Sequence, residues 1–208
     1  MPKAEVSALF PTPFMRVHGL LGPTQVAKLA SGLDQNLSEA NNKSPLLAHT
    51  PVVAPAEHPL YQQLNTQLLP ILTEFGSLLF GEALPWVIKE MWMNALEPGG
   101  QQALHSHANS FISGVLYLSE CHPGARTLFY RGLGGRDFTF HNDGPNVQQG
   151  PFNSPKWAVP QVNPGDLVLF PSSLLHEVPP NPGKRRLTLA FNALPKRLRS
   201  WNYEVHLS

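Results

Sequence analysis

The residues whose type and spacing point most directly to chemistry are His105 and His107, two apart, and His176, much further along the chain. In an extended strand, residues i and i+2 leave the same face, so a His105-Ser-His107 strand aims both imidazoles at one ion. Taken alone, such a pair is weak evidence among nine histidines, and a pair lying on the surface reads equally well. The stretch from Pro164 to His176 strengthens it, because a tight turn and an apolar strand there deliver a third imidazole. Three ligands on one face of an ion leave the opposite positions open, as a non-haem iron centre needs for a co-substrate and O2. Imidazole suits Fe, Zn, Cu and Ni alike, so the ligands by themselves do not name the metal.

Ten residues beyond His176, Arg186 opens the run Arg-Leu-Thr-Leu-Ala-Phe-Asn. In a strand, Arg186, Thr188 and Ala190 share one face. A guanidinium turned inward is costly unless an anion meets it, and its planar fork matches a carboxylate bidentately, with the Thr188 hydroxyl able to add a bond. A dicarboxylate bridging a metal and Arg186 would satisfy both centres. The plainer alternative is a surface arginine in the basic run Lys184-Arg185-Arg186.

These groups need a scaffold, and the texture of the chain after Trp86 predicts one made of short strands. The expected strands are Val87 to Leu96, Gln101 to His107, Phe111 to Leu118, Thr127 to Tyr130, Trp157 to Val162, Asp166 to Phe170, Leu175 to Val178 and Arg186 to Asn192. Eight short strands separated by Gly, Pro and Asn suit a mainly β jelly roll. Upstream, apolar residues at helical spacing predict helices from Thr24 to Glu39 and from Leu60 to Phe80, with Pro70 expected to kink or split the second. The expected organisation is one domain over residues 1–208: a helical part (1–85), a β core (86–193) with the helices packed outside it, and a tail (194–208). Between Arg131 and Pro155 lies a polar segment that reads as a lid over the barrel mouth or as a surface insertion without a role. Arg131, Arg136, Asp137, His141 and Asp143 give it charges of both signs.

Composition narrows the class. Lys plus Arg number 15 against 14 for Asp plus Glu, so there is no electrostatic footprint for nucleic acid. Only 14% of residues are charged and 22 are Pro, which favours short strands and ordered turns over long charged helices. The single Cys121 cannot form an intramolecular disulfide, and Met1 to Phe14 lacks the apolar stretch of a signal peptide, so the expected location is the cytoplasm. No apolar run approaches the ~18 residues of a membrane span, so no membrane partner is expected.

Four blocks in order carry a family resemblance: Trp92-Met-Asn94; His105-Ser-His107 continuing through Tyr117-Leu118; Gly165-Asp-Leu-Val-Leu-Phe-Pro-Ser173 through His176; and Arg186 through Asn192. Together they resemble a bacterial and phage group of 2-oxoglutarate- and iron(II)-dependent oxygenases with an H-x-H motif, in the prolyl hydroxylase-like superfamily. The resemblance covers about Trp86 to Ala193 and implies the double-stranded β-helix (cupin-like jelly roll). It also implies His105, His107 and His176 at iron(II), Arg186 anchoring 2-oxoglutarate with help from Thr188, and Tyr117 and Asn94 as further co-substrate contacts. The implied reaction consumes O2, hydroxylates a small-molecule or peptide substrate, and releases succinate and CO2. Nickel or zinc could occupy the same imidazoles in purified protein.

One position departs from the superfamily, which usually has His-x-Asp where this chain has His107. That leaves open a second-sphere His107 with Glu97 or Asp166 as ligand, although Asp166 also reads as a turn residue. It also leaves open a three-His cupin-type dioxygenase that ignores 2-oxoglutarate, and a non-catalytic metal- or ligand-binding barrel. The Trp86 and Trp92 region reads as core or as the interface of a homodimer.

Overall fold

The structure is a computed structural model that describes residues 4–40, 44, 46–132 and 144–207. Its larger sheet has seven strands in the order β1 (Met15–Val17), β9 (Leu167–Pro171), β6 (Ile112–Tyr117), β11 (Arg186–Pro195), β4 (Trp86–Leu96), β3 (Leu47–His49) and β2 (Glu39–Ala40), each antiparallel to its neighbours. A smaller sheet has the order β5 (Gln102–His105), β10 (His176–Val178), β7 (Leu128–Tyr130) and β8 (Lys156–Ala158). The chain passes back and forth between them: β4 to β5 to β6, then β9 to β10 to β11. That winding makes the jelly roll.

Strand parity divides the larger sheet into two functions. On β11, Leu187, Leu189, Phe191 and Ala193 face helices α1 (Pro23–Asp34) and α2 (Pro59–Phe80), where they join Leu33, Leu64, Leu68, Leu72 and Phe75 in the main core. Each fully buried side chain of this kind contributes roughly 1.5–3 kcal/mol. The alternate residues Arg186, Thr188, Ala190 and Asn192 face the inside of the roll. Gly114 of β6 sits directly opposite Phe191 in register, and a Cβ there would lie 2.1 Å from the Phe191 ring. This strand glycine is therefore the floor on which an aromatic lies.

Several expectations need correction. Helix α1 stops at Asp34 and not at Glu39, because Glu39 and Ala40 pair with β3 instead. Pro70 does not split α2, which runs from its His58 cap to Gly81, the latter at φ 68°. A proline inside a helix costs about 3 kcal/mol, and the buried stripe of Leu64, Leu68, Leu72 and Phe75 outweighs it. The part before residue 86 is not only helical: β1, β2 and β3 extend the larger sheet at both edges. The tail is likewise structured, since β11 continues to Pro195 and β12 (Arg197–Ser200) pairs with β13 (Tyr203–His206) as a hairpin. The strand expected at Trp157 to Val162 is only Lys156–Ala158, ending before Pro160. Trp86 is core, packed over Gly76 and against Phe80.

Arg131 donates to the carbonyls of Pro151 and Phe152, closing the base of the long insertion. Arg136, Asp137, His141 and Asp143 lie outside the described residues, so the lid reading is not addressed by the structure. Among the described residues, no helix is long and apolar enough to cross a membrane.

Candidate metal centre

The smaller sheet positions two of the three histidines. His105, the last residue of β5, is paired in register with His176, the first of β10, and their ring centroids are 4.2 Å apart. His107 lies just beyond β5, not on it as expected, and its backbone N–H is anchored by the Ser172 carbonyl at 2.9 Å. Its ring nevertheless turns inward, with centroids 5.0 Å from His105 and 5.3 Å from His176. One ligand nitrogen from each ring lies within 4.8 Å of the others. An ion bound on one face by three imidazoles at ~2.1 Å needs nitrogens about 3 Å apart, a spacing that modest ring rotations supply.

Hydrogen bonds fix two of these rings for ligation. His105 Nδ1 donates to the Ala103 carbonyl at 2.7 Å, and His176 Nδ1 donates to the Leu174 carbonyl at 2.8 Å. Each bond places the proton on Nδ1 and leaves the Nε2 lone pair for a metal. Among the described residues these three histidines form the one cluster with metal-ligand spacing. The alternative carboxylates are committed elsewhere: Glu97 to Arg185, and Asp166 to Arg16 and to the backbone amides of Gly19 and Asn163. Burial alone would raise the Asp166 pKa, but those donors bring it below the usual carboxylate value.

The environment keeps the imidazoles neutral. Burial, reinforced by repulsion from His105, pushes His176 down to about 3 and His107 to about 4; burial also lowers His105. Metal capture at pH 7 therefore does not compete with protons on these rings. The same shifts carry a stability consequence. Above pH 6.5 the rings are neutral whether the chain is folded or unfolded, whereas below it the unfolded chain binds protons that the folded one refuses. Stability is therefore complete above the ordinary histidine value and is lost as pH falls from about 6.5 toward 4. Metal-free protein is expected to lose on the order of 2–4 kcal/mol between pH 7.5 and pH 5, measured by urea unfolding. An equal stability at the two pH values would show that the rings protonate in place.

The larger sheet supplies the other half. Arg186 and Thr188 line the same cavity of about 230 Å³ as the three histidines, and Asn94, paired in register with Thr188, lines it too. Arg186 is 5% exposed, so it is not a surface arginine. Its guanidinium carbon lies 5.2 Å from the centre of the Tyr117 ring, and Nη1 reaches Thr188 Oγ1 at 3.4 Å. No carboxylate among the described residues pairs with it. Among the described residues, Arg186 Nε is buried without a hydrogen-bond partner. Tyr117 is fully buried behind the guanidinium, outside the cavity wall, and burial pushes its hydroxyl pKa up. A buried cation with unsatisfied donors is stable only if an anion completes it. The donor set thus fits a metal at one group and a carboxylate at the other.

The wall also holds His49 from β3, Gln102 at the start of β5 and Thr127 before β7, which the sequence did not mark, and Trp92, expected as core or interface, whose ring lies 6.0 Å from that of His107. Parity would have flagged Trp92, which alternates with Asn94. Nothing in the local pattern marks His49, whose strand is three residues long.

Comparison with known proteins agrees with the fold. Residues 90–192 match the family described as "Putative 2OG-Fe(II) oxygenase". Among solved structures, the chain is similar to HygX from Streptomyces hygroscopicus with nickel and 2-oxoglutarate bound: TM-score 0.64 and 20% identity, over 88% of this chain and 83% of that one. It is also similar to the α-ketoglutarate-dependent epimerase SnoN from nogalamycin biosynthesis: TM-score 0.64 and 16% identity, over 91% and 82%. A Pseudomonas putida prolyl-4-hydroxylase gives TM-score 0.59 and 19% identity, over 87% and 92%. At these identities the likeness is one of fold. No curated protein sequence matches.

Proposed function

The chain belongs to the 2-oxoglutarate- and iron(II)-dependent oxygenases, and on that premise we propose that His105, His107 and His176 hold its iron and that Arg186 holds 2-oxoglutarate. It is an oxidoreductase that uses O2 on a small-molecule substrate. When bound, iron(II) with 2-oxoglutarate supplies O2 activation, releasing succinate and CO2 as the substrate is oxidised. The protein's share is binding, orientation and exclusion of water.

The observation that carries the assignment is a buried guanidinium with an unpartnered Nε in the same cavity as three converging neutral imidazoles. Arg186 would grip the far carboxylate of the co-substrate, with the Thr188 hydroxyl beside it and Asn94 on the neighbouring strand. The Nδ1 bonds of His105 and His176 would hold their rings still while the co-substrate binds. Tyr117 supports the guanidinium from behind, with its ring centre 5.2 Å from the guanidinium carbon. The outer wall, with Trp92, Leu47 and Val52, is mainly apolar. A cavity of about 230 Å³ is below the ~300–1,000 Å³ of pockets that engulf a drug-sized ligand. We infer that it takes the co-substrate and only the reacting end of the substrate, whose remainder lies at the mouth beside Trp92 and Val52. HygX was crystallised with nickel, and a purified sample of this protein is expected to carry nickel or zinc on the same imidazoles. We read the chain as one oxygenase domain and, with Cys121 free and buried, as a protein of the reducing cytoplasm.

Adding 2-oxoglutarate anaerobically to the iron(II)-loaded protein is expected to raise a visible metal-to-ligand charge-transfer band, and admitting O2 to yield succinate. Iron bound without a band or succinate would reject this assignment.

A further inference from the structure

The inward face of β4 carries more than the co-substrate uses. Met91 and Met93 join the core beneath the helices, while Glu90, Trp92 and Asn94 alternate with them on the inside of the roll. Asn94 pairs with Thr188, Trp92 with Ala190 and Glu90 with Asn192, so this series runs away from Arg186, past Trp92, to Glu90. A bridge between Val53 and Met91 brings Val52, 46% exposed, alongside. Trp92 and Val52 belong to the cavity wall, and half-buried Glu90 is the next inward residue beyond them. Its carboxylate is fixed but not neutralised: Asn192, almost fully buried, donates from Nδ2 to Glu90 Oε1 at 2.6 Å, and Ser113 Oγ holds Asn192 Oδ1 at 2.7 Å. Among the described residues, the arginines that pair with carboxylates meet Asp166, Asp34, Glu97, Glu82 and Glu204, and no Lys or Arg lies within ion-pair distance of Glu90. Among the described residues lining the cavity, Arg186 alone carries a fixed charge, and the co-substrate takes it.

We propose that Glu90 and Trp92 are the specificity-determining residues and that the substrate is a cation: its ammonium or guanidinium group meets the Glu90 carboxylate and lies over the Trp92 indole, with the carbon skeleton leading on to the metal. This rests on the oxygenase assignment above. Side chains two residues apart on one face of a strand stand about 7 Å from each other, and a cation is attracted to an indole, the best aromatic partner, within about 6 Å of the ring centre. One group can therefore touch both. A carboxylate withdrawn partly from water and left without a counter-ion is costly, and a cation removes that cost where a neutral ligand does not. An anion would be repelled by Glu90, with Arg186 already occupied. The inward parity of β4 and β11 thus places opposite charges at the two ends of one face, Arg186 for the co-substrate and Glu90 for the substrate.

The test is anaerobic calorimetry on the full chain loaded with iron(II) and 2-oxoglutarate, whose charge-transfer band reports the loaded centre, with three probes of one shape: n-butylammonium, n-butanol and butyrate. n-Butylammonium is expected to bind about tenfold more tightly than n-butanol, as an indole face and a partly exposed carboxylate together supply, and butyrate should bind most weakly. Glu90→Gln keeps an acceptor for Asn192 while removing the charge, and it is expected to cut the preference to about threefold, the share of the Trp92 face alone. Raising the ionic strength from about 0.05 to 0.5 M should also shrink the wild-type preference, a reading that needs no variant if Glu90→Gln melts. Equal binding of n-butylammonium and n-butanol by the wild type, no saturable binding of n-butylammonium, or a preference that neither salt nor Glu90→Gln reduces overturns the proposal, while the band leaves the co-substrate assignment standing. A wild-type chain that takes up iron(II) and gives no band overturns both.

Discussion

His176→Ala is expected to abolish iron(II) binding and, with it, succinate formation, by more than the roughly 100-fold that loss of an outer partner costs. His176 is 6% exposed and packs against Phe129 and Phe170 as well as His105, and neither aromatic ring can replace it as a ligand. Removing the ring leaves the His105 imidazole without the one that faces it across β5 and β10, and two imidazoles cannot define a face. Chelator competition gives the binding loss directly, and circular dichroism separates it from unfolding. Because an uncharged alanine removes a polar group that burial already disfavours, the metal-free fold is expected to survive. Retention of wild-type iron affinity by this variant would place the metal elsewhere.

The second large effect divides into two opposite signs. Arg186→Met is expected to weaken 2-oxoglutarate binding by roughly 150- to 4,000-fold, since removing one partner of a buried, hydrogen-bonded charge pair costs roughly 3–5 kcal/mol. Iron(II) affinity in the absence of co-substrate should stay near that of wild type, because Arg186 offers the metal no ligand. In the absence of 2-oxoglutarate, the same variant is expected to be more stable than wild type by about 1–2 kcal/mol. Among the described residues, the wild-type guanidinium is buried with Nε unpartnered, against the Tyr117 ring and the Thr188 hydroxyl. Methionine fills a similar volume without the charge. Calorimetry with 2-oxoglutarate and thermal melts of the metal-free variant read the two signs independently. A variant that binds 2-oxoglutarate as wild type does, or that melts well below it, would mean that Arg186 serves the fold and not the co-substrate.

The two halves of the site differed in how legible they were. His176 could be found because it follows a tight turn and the apolar strand β9, and Arg186 because it opens a long strand in which parity alone turns Arg186, Thr188 and Ala190 to one side. His107 was found by spacing, although the reason offered for it was only partly right: β5 ends at His105, and a loop tied to Ser172, not the pleat of a strand, brings the third ring in. The N-terminal strands escaped notice because elements of two or three residues carry no period; they exist only because a longer strand is there to pair with. His49 reaches the cavity wall through such a strand.

By itself, the sequence determined the class of chemistry and the class of fold. Ligand types, their order and the alternation of the long strands are local properties, and local sterics and hydrophobic burial act on them in any compact state. Only the tertiary structure decided which groups share a cavity and which are spent elsewhere. Glu97 and Asp166 are carboxylates no less than Glu90, yet the first is committed to Arg185 and the second to Arg16 and two backbone amides. Glu90 alone of the three sits beside Asn192. That difference comes from register across β4 and β11, where shifting β11 by one residue would turn Arg186 to the helices and Leu189 inward, and shifting β4 would do the same to Glu90. No inspection of either strand singly could reveal it, because register is a property of the pair and is set by the core that both strands bury together.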